Sequence, residues 1–63
     1  MKVESNETEV RVINQEPYGV MVLDLDSGMT SFSGEVPWQT FQKMNKTLKR
    51  ELNNIRNNDI ELD

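Results

Sequence analysis

The 63-residue chain has neither cysteine nor histidine. Without cysteine there is no disulfide framework and no thiolate metal site; without histidine the commonest zinc and haem ligand and the commonest general base are missing as well. A lack of cysteine also suits a reducing compartment. A chain this short has little material for a cleft lined with placed polar groups, so no enzyme, cofactor, metal site or small-molecule substrate is expected. Long apolar runs are scarce too. The longest, residues 20–23, falls far short of the roughly 20 residues needed to cross a bilayer. The opening MKVESNETEV lacks the basic start and apolar run of a secretory signal. A soluble, cytoplasmic protein with no membrane partner is therefore expected.

Residues 1–9 hold Glu4, Glu7 and Glu9 among Ser, Asn and Thr, with one apolar residue after Met1. So little apolar surface does not offset the entropy of ordering, which predicts a flexible acidic arm. Residues 59–63, DIELD, are expected to form a matching acidic flexible tail, with Ile60 and Leu62 available as a short edge strand. Between them, residues 10–58 form one domain.

From Val10 the pattern alternates, Val10 and Val12 about Arg11, with Ile13 following, and a strand is predicted over 9–15. It stops before Glu16-Pro17, because proline has no N–H to give the ladder. The β-branched and aromatic content of YGVMVLDLD predicts a second strand over 18–26. Met21, Leu23 and Leu25 point to one face there, and Tyr18, Val20, Val22 and Asp24 to the other. Asp26-Ser27-Gly28 reads as a turn into a third strand over 29–33. Two registers fit this hairpin. The favoured one has Ser27-Gly28 as its loop and sets Leu23 opposite Phe32; a glycine bulge would pair Leu25 with Met29 and send Phe32 to the Val22 face.

The clearest pattern is a helix over 37–58. Pro37 suits a first helical turn, Ser33 or Glu35 is a candidate cap, and the asparagines Asn53, Asn54, Asn57 and Asn58 suit a helix end. Its apolar residues Trp38, Phe41, Met44, Leu48, Leu52 and Ile55 recur at spacings of 3, 3, 4, 4 and 3, which places them in one stripe. The predicted fold is thus α+β: a three-stranded antiparallel meander followed by one long C-terminal amphipathic helix.

Two mismatches point to a homodimer. A single helix covers one face of the sheet, leaving Val20 and Val22 in need of a second-face contact. The helix, at about 1.5 Å per residue, is also longer than a six-residue strand of roughly 20 Å, so part of its stripe is expected to project beyond the sheet. Helix pairing, or each helix lying across the partner's sheet, would cover it.

Charge is unevenly distributed over a net of −4. The helix holds Lys43, Lys46, Lys49, Arg50 and Arg56 against Glu51 alone, a basic face opposite the apolar stripe. The overall acidity argues against a dedicated nucleic-acid binder, whose affinity rests on clustered Lys and Arg releasing counterions. On the strand side, Glu16, Asp24, Asp26 and Glu35 are candidates for an acidic surface able to imitate the charge of DNA.

Two motifs fail on context. VMVLDLDS, residues 20–27, resembles the apolar strand and DxD of the haloacid dehalogenase phosphotransferases, but the rest of the chain lacks the parallel sheet, lysine and second acidic motif that such a resemblance implies. Asp24, Asp26 and Glu35 fall at positions 1, 3 and 12 of an EF-hand count, yet Met29 occupies position 6, where that loop requires glycine. The expected function is a small non-enzymatic protein-interaction module, similar in size and architecture to phage and mobile-element regulators or inhibitors that bind a host protein. The alternative is a nucleic-acid-binding accessory protein using the basic helix face.

Overall fold

The computed structural model describes the backbone of residues 1–61 and the side chains of residues 1–55. It contains β1 (Lys2–Ser5), β2 (Glu9–Asn14), β3 (Gly19–Asp24), β4 (Thr30–Gly34) and α1 (Trp38–Glu61). The strands form one antiparallel sheet in the order β1-β2-β3-β4, with the helix packed on one face. The α+β class is as expected, but the meander has four strands instead of three.

The extra strand comes from the stretch expected to be a flexible arm. Its cause is Asn6, whose Oδ1 accepts from the Thr8 and Glu9 amides at 2.8 and 2.9 Å and from Thr8 Oγ1 at 2.9 Å. Together with the Asn6 N–H donating to Glu9 O at 3.0 Å, these bonds close a tight turn. The turn returns the chain alongside β2, pairing Ser5 with Val10 and Lys2 with Ile13. All four β1 residues are exposed, Val3 at 37% beside buried Val12, so backbone pairing does more than burial to order them.

Residues 15–18 join β2 to β3, with a cis Glu16–Pro17 peptide and Asn14 Nδ2 donating to Pro17 O at 2.7 Å. The next hairpin takes neither expected register: Met21 faces Phe32 and Leu23 faces Thr30. Asp24, not Asp26, holds the turn. Its Oδ1 accepts from the Asp26 and Ser27 amides at 2.9 and 3.3 Å, and its carbonyl accepts from Gly28 at 2.8 Å. Residues 25–28 thus form a four-residue loop, with Gly28 at a φ of 76°. Relative to the favoured register this slides β4 by two residues, which leaves Phe32 on the Met21 and Leu23 face.

Helix α1 begins where the Phe41 N–H reaches Pro37 O at 3.0 Å. Among the described residues no side chain caps it, so neither Ser33 nor Glu35 takes that role. It also runs past the predicted end to Glu61, because asparagine costs a helix only about 0.7 kcal/mol and no glycine or proline follows. Asp59, Ile60 and Glu61 of the expected tail are therefore helical; Leu62 and Asp63, and Leu62's suggested docking, lie outside the described residues.

Met44 and Leu48 are buried with Val10, Val12, Met21 and Leu23, and Phe41, Leu52 and Ile55 pack at the margin of this core. The middle of the stripe is thus covered within one chain. Its most exposed member is Trp38, 68% accessible, at the helix start.

Candidate functional site

Three surfaces stand outside the core, and strand alternation assigns them. Val10, Val12, Met21 and Leu23 face the helix, so Glu9, Arg11, Ile13, Val20, Val22 and Asp24 face away from it. On that open face Ile13 and Val20 are cross-strand partners, and Val22 sits beside them opposite Arg11. All three apolar residues are half-buried, although no described element lies over them. The second-face contacts expected of Val20 and Val22 therefore point to an uncovered surface, enlarged by Ile13. Period-2 counting from Val10 already placed Ile13 opposite to Val12, which was the signal for it. The apolar row is bordered by Ser31 and Ser33 on β4 and by the Arg11–Glu9 pair, in which Arg11 Nε donates to Glu9 Oε2 at 2.9 Å.

The second surface is the cationic flank of α1. Lys43, Lys46 and Arg50 recur at helical spacing and, with Thr47 and Met1, line an open groove of about 430 Å³. Thr47 Oγ1 donates to Lys43 O at 2.9 Å and lies 3.7 Å from Met1 Sδ, which fixes this flank on the β1 side of the sheet. Among the described residues none of these cations forms an ion pair. Lys49 is exposed but does not line the groove, and the Arg56 side chain lies outside the described residues. The basic face read from the sequence thus contributes three of its five cations to one place.

The opposite flank of α1 is aromatic. Trp38 stacks on Phe41 with centroids 5.5 Å apart, and Phe41 meets Phe32 of β4 edge-on at 5.2 Å. This row lies on the β4 side because the cationic flank takes the β1 side.

The candidate acidic residues are not brought together. Asp24 and Asp26 belong to the β3–β4 turn, whereas Glu16 and Glu35 flank the Gly19–Gly34 pair at the other end of the sheet. Among the described residues no cluster of acidic side chains is arranged to hold a metal ion, and no helix is long and apolar enough to cross a membrane. Comparison with protein-family models, with curated proteins and with solved structures finds no match to this chain.

Proposed function

We propose that this chain is a small, non-enzymatic protein-interaction module that works as a homodimer and binds another protein through its open sheet face, in the manner of a phage-type regulator or inhibitor. The observation that carries this reading is the row Ile13, Val20 and Val22. It is apolar, central on the sheet, and without a covering layer among the described residues. Leaving such side chains in water forfeits about 1.5–3 kcal/mol each relative to full burial, and half-burial leaves part of that available to a partner. The rim of Arg11, Glu9, Ser31 and Ser33 supplies the polar border common at transient interfaces.

The test is capture from the native host with the wild type and with Val22→Lys, each checked for fold by circular dichroism. A protein retained by the wild type and lost with the folded variant supports the reading. Equal capture by both, or a monomer mass at all concentrations, overturns it.

A second reading, nucleic-acid binding, is favoured by the three cations gathered in the Met1–Thr47 groove, which have no carboxylate partner among the described residues. Phosphate contacts of that number give a duplex-binding salt slope of about −3. Fluorescence anisotropy with labelled duplex and single strands decides it: a slope of that size, lost in Lys46→Glu/Arg50→Glu, supports nucleic-acid binding, and no binding at low salt removes it.

A further inference from the structure

We propose that two copies of this chain join through their β4 strands, antiparallel and centred on Phe32, into one continuous eight-stranded sheet. This rests on the homodimeric reading above and gives it a geometry.

The sheet has two edges, β1 and β4. In an antiparallel ladder, alternate residues exchange hydrogen bonds with one neighbour while those between them point the other way. The Asp24 N–H donates to Met29 O at 2.9 Å, so Met29, Ser31 and Ser33 are the residues of that segment bonded to β3. The N–H and C=O groups of Thr30, Phe32 and Gly34 therefore point out from the free edge. The same alternation holds inside the sheet: the Leu25 N–H donates to Thr8 O at 2.9 Å, so odd residues of β3 bond to β2 and even ones to β4.

Natural sheets protect their edges with charges, and here only one edge is protected. β1 carries Lys2 and Glu4, 3.9 Å apart. Residues 27–34, SGMTSFSG, hold no charge. The helix does not close the β4 edge either, since its backbone runs over β2 and β3. Beside that edge Trp38 and Met29 are 68% and 73% exposed, apolar surface that a monomer leaves in water.

A two-fold axis through Phe32 engages every outward group. Thr30 faces the partner's Gly34, and Phe32 faces the partner's Phe32, each as a hydrogen-bonded pair. Residues directly opposite share a face, so both helices lie on one side and the two Phe32–Phe41–Trp38 rows meet across the axis. The contact uses the same strand on both copies, so it closes at two, and the charged β1 edges stay outermost. The strand is short, so the buried area falls below the roughly 1,600 Å² of a standard interface, and dissociation in the micromolar range is expected.

Ser31 and Ser33, both exposed, decide the register, because each faces the other across this axis. Ser31→Glu/Ser33→Glu sets like charges opposite each other, whereas Ser31→Glu/Ser33→Lys sets opposite ones. Light scattering across 1 µM to 1 mM is expected to show the wild type moving from 7.3 kDa to twice that mass. The Glu/Glu variant should weaken the dimer at least tenfold, and Glu/Lys should restore it. Hydrogen exchange should slow at the Thr30 and Phe32 amides on dimerisation and stay unchanged at Ser31 and Ser33. A dimer indifferent to both variants overturns this geometry and leaves the dimeric reading standing; a monomer throughout overturns both. Protection of Thr30 and Phe32 acquired only on adding a different protein also overturns it.

Discussion

At the residue scale, two glycines that look alike in sequence have unlike duties. Gly34 sits directly opposite Gly19 at a φ of 118°, and a Cβ there would lie 2.5 Å from Tyr18 O and 2.8 Å from Gly19 Cα. Both obstacles are backbone, so neither can turn away. Gly34→Ala is expected to cost about 3 kcal/mol, combining backbone strain with the clash. Gly28, at a φ of 76° with nothing within 4 Å of the added atom, should lose only about 1 kcal/mol as Gly28→Ala. Urea denaturation of the pair measures the difference directly. The stripe of α1 divides in the same way. Met44 is fully buried and Met44→Ala should cost about 2–5 kcal/mol, most of what a chain of 63 residues has to lose at roughly 0.1 kcal/mol per residue. Trp38→Ala, at an exposed site, should change monomer stability by under about 1 kcal/mol, so equal losses at the two positions would contradict the packing described.

At the element scale, β1 tests how far backbone pairing can hold a strand with no buried side chain, Val3 being 37% exposed. Its register bonds the Lys2 and Glu4 amides to β2 and turns those of Val3 and Ser5 outward. Hydrogen exchange should therefore alternate along it, slow at Lys2 and Glu4 and fast at Val3 and Ser5. Asn6→Ala removes the acceptor shared by Thr8 and Glu9 and is expected to cost about 1–2 kcal/mol while erasing that alternation first. Uniformly fast exchange in the wild type would return β1 to the flexible arm that its composition suggests. β2, β3 and α1 were legible because each carries apolar residues at its own period, and period survives without knowledge of the partner; β4, whose one apolar residue is Phe32, was legible from the Asp26-Ser27-Gly28 turn signal before it. β1 was not, since its one internal apolar residue, Val3, sets no period, and its cause lies in side-chain to backbone bonds at Asn6. The β3–β4 register was hidden for a related reason: Asp24 and Asp26 are equally suited to hold a turn, and the fold uses Asp24, with Phe32 opposite Met21. The cationic groove was half legible. Helical spacing grouped Lys43, Lys46 and Arg50, but their nearness to Met1 depends on β1 being a strand.

At the scale of the whole molecule, stability and assembly are one problem. Among the described residues the buried core is six side chains, four of them fully buried, under a helix about 36 Å long, in a particle with a longest dimension of 40 Å. A chain of this size is expected to hold only about 3–9 kcal/mol of folding free energy, and any partner that binds the folded form alone adds to it. The proposed homodimer would supply that partner at a concentration set by the protein itself. Above the dissociation constant, each tenfold rise in protein concentration stabilises the dimer by about 1.4 kcal/mol, or about 0.7 kcal/mol per protomer. For a domain of this length that corresponds to a rise in Tm of roughly 3–6 °C. Calorimetry at 50 and 500 µM should show this shift for the wild type and for Ser31→Glu/Ser33→Lys, and a smaller one for Ser31→Glu/Ser33→Glu, whose dimer is only partly populated over that range. The sheet's chemistry gives the sign a further check. Two copies together carry twice the net charge of −4, so added salt should strengthen the dimer modestly by screening. The same salt would weaken any complex held by phosphate contacts to Lys43, Lys46 and Arg50. One titration with sodium chloride, read by mass and by anisotropy, therefore drives the two readings of this molecule in opposite directions.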